Sequence, residues 1–438
     1  MYIHMCTSYV SCFDIYIKEI EVHMHKQRTI ALEWAILFLF ILPPLGIVWL
    51  IGIGICHGVN RMLRKQAFYL LHPPTFFFLA TLLASIGACL RTGQIVYACI
   101  PVMVAGYLGM YLYIKDNRSA WRLKYFSRML IIGGLYITIV GQFQLQEGYT
   151  YGGDWRLGML TGLMPMGLEE TGRLFGSTYN PNFAAFLLLL SLASLIAGIL
   201  QATENFKKNK ASFVLHTVLA LPIGIAIIQT GSRTGVAVMA VLLILFAWKM
   251  SRWVSTILLA FCCIFLSYTG SLSNVIPRFE SMSQSFETRQ LIWKYSMQVW
   301  HTSPIFGVTP LGFQETYALF EKTGIAHAHN LLLSLFCEYG VLGGTAFLFL
   351  IVWYVHKAIK TLMLSQQHKK PGLFFFSLPI LPLTGILDHP LVSPQTALLA
   401  IILLAGWERE TDGEARLNSP ASPVRRTNIA HIEHRLKA

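Results

Sequence analysis

The chain has 438 residues, of which 55% are apolar and 13% charged, about half the charged share of an average soluble domain. A mean hydropathy of +0.55 excludes a soluble globular fold and predicts an all-α, polytopic membrane bundle. The net charge of +13 would suggest nucleic acid in a soluble protein. Here Lys and Arg collect in short connections between apolar stretches, and no soluble basic domain is left to carry such binding.

Residues 1–28 hold several charges but no apolar run of signal-peptide type, and Met24 lies just before the first apolar stretch. This N-terminal tail is expected to be either poorly ordered or an over-extended start. Stretches long enough to cross a bilayer are placed near 32–56, 68–90, 94–114, 127–145, 183–201, 212–230, 234–250, 253–271, 331–355, 372–388 and 391–406. Pro43-Pro44, Pro222, Pro379 and Pro382 fall inside them, where kinks are tolerable only if neighbours or water satisfy the backbone. The expected organisation is a tail at 1–28, an N-terminal transmembrane bundle at 29–271, a large loop at 272–330, further spans at 331–408 and a tail at 409–438. The cysteines form no CxxC pair, and six of them lie in apolar runs. There a free Cys behaves as a small hydrophobe, so neither a disulfide framework nor a thiolate metal site is expected.

Basic connections alternate along the chain: Arg61, Arg64 and Lys65; Lys115 to Arg128; Lys207, Lys208 and Lys210; Lys249 and Arg252; Lys357 to Lys370; and the C-terminal tail. The positive-inside rule puts these in the cytoplasm and the connections 146–182, 231–233, 272–330 and 389–390 outside. The two long outer loops are expected to be functional. In the second, Phe286, Trp293, Met297 and Trp300 recur at helical spacing, predicting one apolar face that lies in the membrane interface, covers a cavity or only caps the bundle.

Polar groups with chemical potential gather at the outer boundary. His329-Asn330 stand where the long loop meets an apolar span, and an ionisable group at that depth is a functional candidate by default. Arg233 sits in the turn Gly231-Ser-Arg-Thr-Gly235, and Arg278 and Arg289 lie in the long loop. Arg offers a planar fork that suits phosphate oxygens. Glu315, Glu321 and Asp388 are further acid or base candidates and are expected to be solvated. His327 and His329 form an HxH pair with His389 further on, but no carboxylate or Cys stands at a convincing ligand spacing in the sequence. His327 is expected to support its neighbour or to be merely exposed.

The segment His329-Asn330, nine residues, then Gly340-Val-Leu-Gly343 resembles the signature of the O-antigen ligase and O-antigen polymerase superfamily. Ahead of it, in the family's order, come the Gly-Ser-Arg turn at 231–233, the loop arginine at 289 and Pro304-Ile-Phe-Gly307. The resemblance extends to Arg173-Leu-Phe-Gly176 and Asn180-Pro-Asn182, and covers roughly 173–345. It departs at Thr309 and Leu311, where the family often has glycine, which leaves the local backbone open.

The resemblance implies a multi-pass bacterial inner-membrane glycosyltransferase of surface polysaccharide biosynthesis. Its donor would be a glycan on a polyprenyl diphosphate. Its acceptor would be another lipid-linked repeat, a lipid core, a wall polymer or a protein. It implies inversion at the anomeric carbon with neither metal nor cofactor. Catalytic roles are expected for His329 as general base and for Arg233 and Arg289 as stabilisers of the leaving diphosphate; Arg173, Asn182, Asn330 and Arg278 are expected to bind substrate. It also implies an even number of spans with both ends in the cytoplasm, whereas the eleven apolar stretches place the N-terminus outside. The rival class is a polysaccharide-lipid flippase or transporter. Transporters place polar groups at mid-membrane in repeated, broken helices, and this sequence shows no repeat.

Overall fold

The computed structural model describes residues 31–117, 122–147, 154–166, 172–204, 206–250, 256, 282–322, 324–360 and 372–418. The tail at 1–28, the stretch 253–271 and Arg278 lie outside the described residues. Among the described residues the structure is helical and without strands, and eight helices are long and apolar enough to cross a membrane.

The helices are α1 (Ala31–Ile41), α2 (Pro43–Leu63), α3 (Pro73–Thr92), α4 (Cys99–Asp116), α5 (Leu123–Glu147), α6 (Trp155–Thr161), α7 (Pro181–Thr203), α8 (Phe206–Gln229) and α9 (Arg233–Met250). They continue with α10 (Met282–Thr302), α11 (Thr309–Tyr317), α12 (Leu331–Ala358), α13 (Leu373–Ser377), α14 (Ile380–Gly385) and α15 (Pro394–Asn418). The central element is α7. It is apolar on every side, and 89% of its apolar window is buried, as expected of a helix enclosed by others. It packs against α5, α8, α9 and α13, while α2, α3 and α15 group around α4 and α12 packs on α3.

Pro and Gly set the main departures from the predicted spans. The stretch read as one span at 32–56 is two helices, because Leu42 leaves helical geometry (φ −135°, ψ 74°) and Pro43 restarts the chain as α2. Gly46 lies so near the backbone of Leu39 that a Cβ would overlap it. The tenth stretch likewise splits at Leu378-Pro379 into α13 and α14. Between α2 and α4, Gly54 meets the backbone of Gly106 and Gly109 with no room for side chains, the small-residue crossing that substitutes for hydrophobic drive inside a bilayer.

The long-loop helix predicted from aromatic spacing exists as α10, but its buried face is different. Ile292, Ser296 and Val299 face the protein and join Phe313, Tyr317 and Cys337 in a small core. Phe286 and Met297 are exposed, while Trp293 and Trp300 are half-buried. Ile292 and Val299, with the small Ser296 between them, fit the seat on α12, Trp300 packs at its margin against Phe336, and Phe286 and Met297 are left on the outer side.

Candidate active site

Chain segments from four parts of the sequence converge at one end of the bundle. The loop 172–180 runs into α7, where the Asn180 side chain accepts the Asn182 N–H (2.9 Å) and Pro181 occupies the first turn. These residue types favour a helix start because the first N–H groups lack internal partners. The guanidinium of Arg173 donates to the Thr230 carbonyl (2.8 Å) and to Asn182 Oδ1 (3.0 Å). It thereby joins this loop to the turn between α8 and α9. In that turn Gly231 has φ 62°, and Ser232 Oγ caps α9 by accepting the Gly235 N–H (3.2 Å). Arg233 is the first residue of α9. A cleft lined by Asn182, Ser232, Thr234, Gly235, Thr384 and Asp388 connects this corner to the next one.

The second corner is built from 324–330 and the connection between α14 and α15. Asn330 caps α12 by accepting the Leu333 N–H (2.9 Å), and its amide donates to the Ile386 carbonyl (2.9 Å). Both ends of that side chain are therefore engaged in holding the loop. His329, just before it, has φ 48°, a left-handed conformation uncommon for a residue with a side chain. Asp388 is buried rather than solvated, at 6% exposure. Its Oδ1 accepts the His389 N–H (2.8 Å), meets His327 Nε2 (3.2 Å) and lies 3.4 Å from His329 Nδ1. Burial opposes ionisation of Asp388, but the two imidazoles beside it outweigh that and hold its carboxyl well below the usual range. His327 is buried too, and desolvation pushes its imidazole down against the pull of Asp388. Nδ1 of His329 lies at ion-pair distance from the carboxylate without a hydrogen bond, Nε2 is the ring nitrogen that does not face Asp388, and the side chain keeps 26% exposure. A base oriented by a third group is the recurring arrangement for proton abstraction.

The sequence signature has a mechanical meaning. Gly340 breaks α12 with φ 62° and ψ −163°, a combination open essentially to glycine alone. The break lets the Cys337 carbonyl accept the Val308 N–H (2.9 Å), while the Val341 N–H donates to the Pro304 carbonyl (2.8 Å). Gly307 (φ 72°) lies against the Glu338 backbone, and a Cβ on either glycine would overlap main-chain atoms of the other segment. Pro304–Gly307 and Gly340 are thus one interlock. Thr309 follows with φ 66°, the conformation for which glycine is the usual residue.

The expected site residues fall into groups. Arg173, Asn182, the turn at 231–235, His327, His329 and Asp388 share one end of the bundle. Arg233 and Arg289 are half-buried and engaged by neighbouring groups; Arg289 is carried by α10, which seats on α12 and α11. Glu315 is exposed and accepts a hydrogen bond from the Tyr97 hydroxyl (2.9 Å), and Glu321 is half-buried. Asp388 was a candidate in the sequence, but its burial and its pairing with His329 were missed, because it stands 59 positions after His329 and no local spacing couples them. The signal available was that Asp388-His389 are two ionisable groups between two apolar stretches. Asp388 also supplies the carboxylate that the sequence spacing lacked: ligand atoms of His327, His329 and Asp388 lie within 4.8 Å of one another, close enough to be weighed as a cation site.

Fold and corner together define a multi-pass membrane protein with an imidazole–carboxylate site where helix ends meet. Within that class, residues 217–348 match the family model described as O-antigen ligase. The matched stretch includes Arg233, Arg289, Pro304–Gly307 and His327–Gly343, and it supports an O-antigen ligase-type function within the O-antigen ligase and polymerase superfamily. A search of curated proteins finds no match.

Proposed function

We propose that this protein transfers or polymerises a glycan from a polyprenyl-diphosphate lipid onto an acceptor hydroxyl outside the cytoplasm, with inversion and without a metal ion. The observation that carries the reading is the seating of His329, which lies inside the stretch 217–348 that matches the ligase family, on buried Asp388 from beyond that stretch. The acceptor oxygen attacks the anomeric carbon from the side opposite the diphosphate, and His329 Nε2 takes the hydroxyl proton. The bond from that carbon to the diphosphate oxygen breaks, and its electron pair leaves with the lipid diphosphate. Arg233 and Arg289 stabilise that charge, since groups aimed where charge develops accelerate such a step. Asp388 orients His329 and stabilises its protonated form. Arg173 and Asn182 hold the corner through which the donor is contacted, and Arg278 contributes to donor binding. The active site faces outward in the plasma membrane, on the side opposite the basic connections.

The test supplies purified protein with a short lipid-diphosphate-linked glycan and candidate acceptors, with and without chelator. Formation of an elongated or transferred glycan with inverted configuration, unaffected by chelator, is the expected result. Movement of the lipid between leaflets with no glycan product would replace this reading by a flippase. Loss of activity in chelator, restored by a divalent ion, would reassign the cluster at His327, His329 and Asp388 to metal binding.

A further inference from the structure

Glu338 and His389 are the most deeply enclosed ionisable side chains next to the candidate site, each with 1% exposure. They come from different elements, α12 and the short connection before α15. His389 Nε2 lies 3.1 Å from Glu338 Oε1 and 3.2 Å from Oε2. Both residues stand on the wall of an apolar cavity of about 150 Å³, otherwise lined by residues such as Phe77, Leu335, Tyr339 and Ile401. A buried ion-forming pair in such surroundings gives up its hydration, and apolar residues there would pack at least as well. The pair is unused by the mechanism above.

Its geometry points away from the cavity and toward Asp388. The backbone N–H of His389 donates to Asp388 Oδ1 (2.8 Å), the oxygen that meets His327 and His329. Fixing the His389 ring fixes the Asp388–His389 peptide and hence the carboxylate rotamer. Glu338 can do this because it sits two residues before the Gly340 break, where its main chain is clamped by Gly307. Nδ1 of His389 has no partner, so the contact to Glu338 is the polar attachment of that ring. We infer that Glu338 and His389 are positioning residues: they tie α12 to the 388–389 peptide and keep Asp388 aimed at His329, acting on turnover through Asp388 and not on the substrate.

This rests on the reading of Asp388 and His329 above, and the experiment separates the two. The test variant is the double substitution Glu338→Leu/His389→Leu, because replacing a buried pair on both sides by apolar residues is usually neutral or stabilising for the fold. Expected are normal protein level and thermal midpoint, unchanged KM for the lipid donor and kcat lower by about 10- to 100-fold, the scale of loss when a reacting group is misplaced by about 1 Å. Glu338→Gln, which keeps an acceptor for His389 Nε2, should recover most of that loss. In an Asp388→Ala background the double substitution should lower kcat no further, because residues acting through one group are non-additive. A folded Glu338→Leu/His389→Leu protein with wild-type kcat, or a loss that adds in full to that of Asp388→Ala, overturns the inference. If Asp388→Ala itself leaves kcat unchanged, the reading of the site fails instead. Should the double variant not fold, the same cycle is run with Glu338→Gln and Glu338→Ala, and equal kcat in these two overturns the inference.

Discussion

Two buried carboxylates belong to opposite ends of the same pair of helices, α12 and α15, and they are treated differently. Near the far end, Glu408 is fully buried and saturated: the Tyr111 hydroxyl donates to both its oxygens (2.9 and 2.8 Å), Lys115 donates at 2.8 Å and His72 lies at 3.4 Å. Around it Trp353 and Trp407 pack edge to face, Lys357 lies over both rings, and Arg409 donates to the Ile114 and Asn117 carbonyls. At the near end, Asp388 gathers two imidazoles at longer distances, and the Nδ1 atoms of His327, His329 and His389 are buried without a hydrogen bond, that of His329 lying 3.4 Å from Asp388. The residue that reaches furthest out, His329, holds a strained backbone. A carboxylate serving only to tie helices together is driven to fill its acceptor positions, as Glu408 does, although the neighbouring Trp407 Nε1 is buried without a partner. Unsatisfied polar atoms and strained φ angles persist where the surrounding structure imposes them for another purpose.

That contrast is broken most directly by substitution at the near end. His329→Ala should lower turnover by about 10² to 10⁴, the range for loss of a general base, with the thermal midpoint preserved because the side chain is partly exposed. His327→Ala should cost less, since Asp388 keeps its contact with His329. Equal and small effects of both would make the corner structural, like the Glu408 knot. Next in size are Arg233→Lys and Arg289→Lys. Lys keeps the charge but cannot bind a diphosphate in bidentate fashion, so a loss on the order of 10² to 10³ in rate is expected. Wild-type rates in both variants would move charge stabilisation to other groups.

At the far end the expected signature is reversed. Glu408→Ala removes the acceptor shared by Tyr111 and Lys115 and should lower the thermal midpoint by several degrees. The effect stays below the roughly 3–5 kcal/mol seen on breaking fully enclosed pairs, because Lys115 is 23% exposed and can turn to water. Turnover per folded molecule should be retained. A fall in kcat at full stability would show that the two ends are coupled through α12. Gly340→Ala tests the interlock between them: the φ and ψ it needs cost on the order of 1–3 kcal/mol for a residue with a side chain, before the overlap with the Ile305 carbonyl. Reduced protein level, or exposure of 303–308 to protease, is the measurement.

How much of this was legible in the sequence differs between the two ends. Composition sufficed for the helical membrane bundle, and the order of short motifs pointed to His329, Arg233 and Arg173. What the motifs did not carry was long-range pairing. Asp388 read as a solvated acid because its partners are 59 and 61 positions away, and nothing local singled out Glu408 at the end of the last span, because Tyr111 and Lys115 are nearly 300 positions distant. The glycines of the signature were visible as letters, but their meaning needed the break at Gly340 and the backbone of Pro304–Gly307 to be seen together. On α10, periodicity was right about the helix and only partly right about its face: Trp300 packs on the core, but Phe286 and Met297 are exposed, because at a membrane-edge position apolar side chains need not point inward.

The smallest expected effect concerns a departure from the family pattern. Thr309 is buried at φ 66°, where a residue with a Cβ is disfavoured by about 1–2 kcal/mol. Its Oγ1 accepts the Gly312 N–H at 3.3 Å, a long cap for α11. Thr309→Gly removes the backbone strain, loses that weak cap and frees the unfolded chain by about 0.5–1 kcal/mol, so stability should change by less than about 1 kcal/mol. Thr309→Ala keeps the strain and loses the cap, and it should be the less stable of the two. Because α11 reaches the corner only through the apolar contact of its core with Ala328, which neither substitution alters, both variants should turn over normally. If Thr309→Ala proves more stable than Thr309→Gly, the left-handed backbone here is not imposed by the interlock. The left-handed backbone of His329 would then carry no weight beside its contact with Asp388, as that of Lys65 in a basic connection carries none.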